Sequence, residues 1–121
     1  MATSVLILGR VLIASVETDS TDGELLDLQS RLVEQAGSRR ARAVIIDVTS
    51  MDVLDSFSSR MLRDTAQMVA LRGAVAVIVG IQPAVAFAMV QLGLTLEGLH
   101  TALDLEGGLA LLGIEMPAGG L

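Results

Sequence analysis

One segment of the chain combines residue types that can take part in regulated chemistry. Positions 49–59 have the sequence Thr-Ser-Met-Asp-Val-Leu-Asp-Ser-Phe-Ser-Ser, in which Ser56 stands between Asp55 and Phe57 where a helical repeat begins. A phosphate group on a serine carries a charge of about −1.5 to −2, and the free N–H groups of a helix start favour such an anion. The same serine or aspartate can instead cap the helix, which is worth about 1 kcal/mol. The sequence leaves both interpretations open.

Other chemistries lack a necessary residue. All eight basic residues are arginines, so a P-loop cannot form and Asp47 lacks the lysine that a receiver-type phosphoacceptor needs. His100 is the single histidine, cysteine is absent, and there is no GxSxG motif, so neither a serine hydrolase nor a zinc site is expected. Gly107-Gly108 lacks the spacing of a dinucleotide site. We therefore expect no catalysis, no cofactor and no metal, and we assign the acidic residues between 17 and 24 to a solvated loop and helix cap rather than a cation site.

Alternating strands and helices must position this segment. Apolar runs predict strands at 5–8, 11–16, 42–48, 74–79 and 99–102. Helical spacing predicts helices at 22–37, from Phe57 to a stop at Gly73, at 83–92 and at 105–112, with Thr21 and Glu24 forming a capping box and Gly37 ending the first helix.

This order indicates a single α/β domain over residues 1–113, followed by a flexible tail at 114–121. The sheet should be mostly parallel, with helices packed against it and 5–8 as an antiparallel edge strand after a turn at Gly9-Arg10. The loops 17–23, 49–56 and 80–83 each follow a strand. We therefore expect them to meet at one edge of the sheet, where open α/β domains bind their ligands.

The composition excludes several partner classes. The net charge is −6 and no basic cluster is large enough to grip a phosphate backbone, so nucleic-acid binding is not expected. The longest apolar stretch, 73–81, is far shorter than the roughly 20 residues that cross a bilayer. No signal-peptide pattern is present and cysteine is absent, which fits the cytoplasm. The mean hydropathy of +0.66 indicates either a well-filled core or apolar surface left for partners.

Three segments carry a family resemblance. Ile-Ile-Asp-Val-Thr-Ser-Met-Asp-Val-Leu-Asp-Ser-Phe at 45–57 resembles the phosphorylation segment of STAS domains, the anti-sigma-factor antagonists. Gly-Ile-Gln-Pro-Ala-Val-Ala at 80–86 and Thr-Ala-Leu-Asp-Leu-Glu-Gly-Gly-Leu at 101–109 are similar to the single-domain scaffold proteins of the bacterial stressosome, a branch of that family. The similarity extends over about residues 6–112.

The resemblance implies a cytoplasmic, non-enzymatic phosphoprotein that regulates a sigma factor in a stress response. It implies that Ser56 is phosphorylated by an RsbT-like serine kinase, which the scaffold captures and then releases, and that an RsbX-like phosphatase resets the site. It also implies assembly with itself and with RsbR-like STAS paralogues. We expect Ser58 and Ser59 to be minor acceptors at most. The residues expected to contact partners are Asp52, Asp55, Phe57, Gln82 and Pro83.

The segment also departs from the simpler members of the family. Those antagonists follow the Asp-Ser pair with Ser or Thr and then Gly-Leu-Gly, whereas Phe57, Ser58 and Ser59 follow it here. The departure argues against an anti-sigma kinase as the partner. A free antagonist that binds one such kinase remains the alternative hypothesis.

Overall fold

A computed structural model describes residues 3–93 and 99–113. Within them, five strands and four helices follow one another along the chain. The strands are β1 (Thr3–Leu8), β2 (Val11–Val16), β3 (Ala43–Asp47), β4 (Val75–Val79) and β5 (His100–Ala102). The helices are α1 (Asp22–Ser38), α2 (Ser56–Leu71), α3 (Pro83–Gln91) and α4 (Leu105–Leu111).

The strands form one sheet in the order β1-β2-β3-β4-β5. β1 pairs with β2 in antiparallel register, and each later neighbour pairs in parallel. The predicted α/β class, the mostly parallel sheet and the antiparallel N-terminal edge strand are therefore confirmed. Parallel neighbours are joined by helices because the chain must return to the same edge before it starts the next strand.

Alternation along the strands divides the core into two layers. Leu12, Val44, Ile46 and Ile78 lie on the face that packs against α1 and α2, while Ile45 lies on the face that α4 covers. Each central strand is buried on both faces, which is why its sequence is a continuous apolar run rather than an alternating one.

Two details at the helix ends differ from the sequence prediction. α1 does not end at Gly37 but continues to Ser38, and Arg40 adopts the left-handed conformation beyond the end, with φ of 50°. Gly37 instead leaves room for the guanidinium group of Arg72, which a side chain at this position would overlap. The glycine serves packing between α1 and α2, and a sequence pattern cannot distinguish that use from a helix stop.

The remaining differences concern boundaries. The capping box of Thr21 and Glu24 is present. β3 and β5 are shorter than predicted, although Arg42 and Val48 beside β3 still form backbone hydrogen bonds to neighbouring segments. The predicted tail at 114–121 lies outside the described residues. Within the described ranges, no helix has both the length and the apolar character needed to cross a membrane.

Candidate functional site

The carboxyl ends of β2, β3, β4 and β5 lie at one edge of the sheet, which we call the acidic rim. The loops 17–23, 49–56 and 80–83 lie on it and are joined by side chains, as their positions after the strands predict. Thr18 Oγ1 lies 3.4 Å from both the backbone nitrogen and Oδ2 of Asp52. Gln82 Nε2 donates a 2.6 Å hydrogen bond to the carbonyl oxygen of Thr49. The segment that contains Ser56 is therefore supported from both sides.

Ser56 is the first residue of α2, and Asp55 is its N-cap. Asp55 Oδ1 accepts a 2.8 Å hydrogen bond from the backbone N–H of Ser58. That bond stabilises the ionised carboxylate, so the pKa of Asp55 lies below its ordinary value. The interpretation of Ser56 as the helix cap is thus wrong, because the capping oxygen comes from Asp55. The exposed Ser56 hydroxyl has no capping role to perform.

The three serines of this segment differ sharply in access. Ser58 is 6% exposed and Ser59 is 4% exposed, both on the core side of α2, whereas Ser56 is exposed. A kinase would have to unwind the first turn of α2 to reach either buried hydroxyl. The geometry favours Ser56 over both.

Asp47, Thr49 and Gly80 form a compact polar cluster beside this loop. The backbone N–H and the hydroxyl of Thr49 donate hydrogen bonds of 2.9 and 2.6 Å to Asp47 Oδ1. Gly80 approaches Thr49 so closely that a Cβ atom would overlap its hydroxyl oxygen. Asp47 therefore holds the start of the loop. The sequence analysis did not single out Thr49 or Gly80 as members of a polar cluster. The sign of the cluster is the left-handed φ of 82° at Gly80, which is known only from the structure.

The other predicted contact residues lie on the acidic rim or beside it. Asp52 is exposed on the rim, and Gln82 donates its hydrogen bond to Thr49 there. Phe57 is half-buried and lines a shallow groove between α1 and α2. Pro83 begins α3 and lies on its exposed side with Phe87, which is 72% exposed.

The structure does not bring His100 to the serine. It is the first residue of β5 and pairs alongside Val77, while the acidic rim lies beyond the other end of these strands. Among the described residues, no group of three or more His, Cys, Asp or Glu side chains is placed to hold a metal ion.

Comparisons with known proteins agree with this architecture. RsbS of Moorella thermoacetica superposes with a TM-score of 0.79 and 28% identity, over 92% of this chain and 94% of that one. A structure of the stressosome superposes with a TM-score of 0.74 and 28% identity, over 91% of this chain and 96% of that one. Unphosphorylated SpoIIAA, an anti-sigma-factor antagonist, superposes with a TM-score of 0.73 over 95% of this chain and 100% of that one. Its sequence identity is 11%, so this likeness shows the fold alone.

The sequence comparisons give one positive result. No protein of curated function matches the sequence. The family model of the STAS domain matches residues 4–107, which includes all five strands except the first residue of β1. The family match agrees with the structural likenesses to RsbS and to the stressosome structure. The chain belongs to the STAS domain family.

Proposed function

We propose that this STAS domain is a non-enzymatic, cytoplasmic scaffold of a stressosome that captures an RsbT-like serine kinase and releases it when Ser56 is phosphorylated. The observation that carries the proposal is the exposure of Ser56 at the first position of α2, beside a neighbour that already caps the helix. The likeness to RsbS at 28% identity over nearly the whole chain supports the same role.

The geometry suits a kinase substrate. The hydroxyl can enter a kinase active site while α2 stays folded, because Asp55 and not Ser56 holds the N–H of Ser58. In the transfer, Ser56 Oγ loses its proton and bonds to the γ-phosphorus of ATP, and ADP leaves from the kinase. The scaffold supplies only the acceptor and its presentation.

Release follows from the charge that is added. Asp52 and Asp55 are exposed close to Ser56 in the sequence, so the phosphate enters a surface that is already negative. At a partly desolvated interface without a basic partner, the added charge costs a few kcal/mol, which corresponds to roughly tenfold to thousandfold in affinity. An RsbX-like phosphatase would remove the charge and restore capture.

The exposed side of α3 supports assembly with further copies and with RsbR-like paralogues. Phe87 and Val90 are 72% and 81% exposed, and no charged residue occurs between Arg72 and Glu97. Such an uncharged apolar surface is typical of protein contacts. We infer that α3 contributes to the scaffold interface.

The test is phosphorylation by the cognate kinase with ATP, followed by mass spectrometry. We expect phosphate on Ser56 in the wild type, no such phosphate in Ser56→Ala, and an unchanged rate in the control Ser50→Ala, which alters another exposed serine of the same loop. Ser56→Ala should keep its stability within about 0.5 kcal/mol, as for other surface changes, and should hold the kinase without releasing it. Ser56→Asp should weaken capture. If Ser56→Ala is phosphorylated as fast as the wild type, the site assignment is wrong.

Particle size separates this function from that of a free antagonist. Mixing with an RsbR-like partner should give very large particles in light scattering. A protein that stays monomeric with that partner present, yet binds one anti-sigma kinase, would contradict the scaffold proposal and support the alternative.

A further inference from the structure

The end of the molecule opposite the acidic rim carries a cluster of arginines, which we call the arginine pole. These side chains come from the turn before β2, the segment between α1 and β3, and the end of α2, and all are exposed. The members of the arginine pole are Arg10, Arg39, Arg40, Arg42 and Arg72. Arg39, Arg40 and Arg42 are close in sequence, whereas Arg10 and Arg72 come from other segments, so only the fold brings all five together.

Two of these arginines are anchored by the backbone. Arg10 Nε donates a 2.8 Å hydrogen bond to the carbonyl oxygen of Arg40, and one terminal nitrogen of Arg42 donates a 3.0 Å bond to the carbonyl oxygen of Leu112. A guanidinium group has five N–H donors, so each side chain keeps free donors after this contact. Anchoring lowers the entropy lost when such a group binds a partner.

Among the residues that the structure describes, no carboxylate forms an ion pair with a member of the arginine pole. Arg31 pairs with Asp27 and Arg63 with Asp64, and both pairs lie on the helices between the two ends. Attraction to the C-terminal ends of helices explains the position of Arg39, Arg40 and Arg72. This attraction does not explain the position of Arg10 and Arg42, which precede strands.

The acidic rim has the opposite charge. Most of the carboxylates of the chain lie in its loops and in the first turns of the helices that begin there. They are Glu17, Asp19, Asp22, Glu24, Asp47, Asp52, Asp55, Asp104 and Glu106. The two ends are separated by the length of a strand, about 16 Å for five residues, which exceeds the Debye length of about 8 Å at physiological salt. Each end therefore presents its charge independently of the other.

We propose that the arginine pole binds the acidic rim of a second copy of this chain, in a head-to-tail contact. The occupant is a second copy because the complementary surface is present on the molecule itself. Such a contact is heterologous, so it leaves a free arginine pole and a free acidic rim at the two ends of each pair and can repeat. It differs from the apolar α3 contact in its strong dependence on salt.

Sedimentation of the full chain at about 10 mM and about 1 M salt tests this, because the Debye length falls from about 30 to about 3 Å over that range. We expect association that weakens at least tenfold at high salt. Arg39→Glu/Arg42→Glu should abolish the salt-dependent part. The matched control, Arg60→Glu/Arg63→Glu, has the same net charge but alters α2 away from the arginine pole, and should associate like the wild type.

A charge-swap experiment identifies the partner surface. Glu17→Arg/Asp19→Arg reverses part of the acidic rim without touching a helix cap, and should not associate by itself. Mixed with Arg39→Glu/Arg42→Glu, it should regain association. Absence of any salt-dependent association in the wild type, loss of association in the control, or no regain in the mixture while circular dichroism shows both variants folded, would each overturn the proposal. Because no kinase is present, this result is independent of the function proposed for Ser56.

Discussion

Gly80→Ala should destabilise the protein by more than a left-handed glycine alone explains. Gly80 has φ of 82°, and an L side chain in the left-handed region costs roughly 1–2 kcal/mol. The new Cβ would also overlap the hydroxyl oxygen of Thr49 and lie 3.1 Å from Asp47 Oδ1. Thr49 must then rotate and give up its 2.6 Å hydrogen bond to Asp47. A hydrogen bond to a charged group is worth about 1.5–3 kcal/mol, and the exposure of Thr49 places this one at the low end.

The expected loss for Gly80→Ala is therefore about 2–4 kcal/mol. Gly73→Ala is the matched control, since Gly73 has φ of 91° but no atom within 4 Å of the added Cβ. It should cost only the conformational part, about 1–2 kcal/mol. Urea denaturation followed by circular dichroism measures both free energies of unfolding, provided that the m-values agree.

A double variant isolates the overlap. Thr49→Ala removes the oxygen that the new Cβ meets, so Gly80→Ala should cost less in the Thr49→Ala background than in the wild type. The reasoning is refuted if Gly80→Ala and Gly73→Ala cost the same, or if Thr49→Ala leaves the cost of Gly80→Ala unchanged.

Two further predictions concern α2. Asp55→Ala should lose about 1 kcal/mol of cap energy at pH 7. The pKa of Asp55 is lowered in the folded state, chiefly by the N–H of Ser58. The cap energy is therefore present above the unfolded pKa of about 3.9 and is lost as the pH falls through the folded pKa. Urea titrations should show a smaller difference in unfolding free energy between the wild type and Asp55→Ala at about pH 3 than at pH 7. Asp55→Asn, which keeps an uncharged cap, is the control. An equal difference at both pH values would contradict the cap assignment. Thr65→Val should cost about 1–3 kcal/mol in thermal or urea unfolding, because the buried Thr65 hydroxyl accepts a 3.0 Å bond from Gln29 and donates a 2.7 Å bond to the carbonyl oxygen of Met61. The added Gln29→Leu change should recover part of that loss, and no recovery would show that the α1–α2 hydrogen bond contributes little.

The sequence predicted the class and order of every element because those depend on short-range pattern. The continuous apolar run of β3 is the signature of a strand buried on both faces, and the structure covers both faces of that strand. Thr21 and Glu24 predicted the start of α1 because a capping box is a local motif. The position of the loops after parallel strands also predicted that they would meet.

The sequence was less informative where a residue serves a distant neighbour. Gly37 suggests a helix stop, but it is retained inside α1 because the guanidinium of Arg72 packs against it. The choice between Asp55 and Ser56 as the cap was open because both residue types favour that position, and a shift of one residue decides which side chain faces Ser58 N–H.

By itself, the sequence thus determined the α/β order, the buried strands, the exclusion of lysine-dependent sites and the segment that contains Ser56. Only the tertiary structure decided which serine is accessible, which residue caps α2, and that arginines from three separate segments of the chain gather at one end opposite the carboxylates. The physical reason is the distance along the chain over which each interaction acts. Hydrophobic period and capping depend on neighbours within a few residues, whereas burial and charge separation depend on which strands pair in parallel and so bring their like ends together.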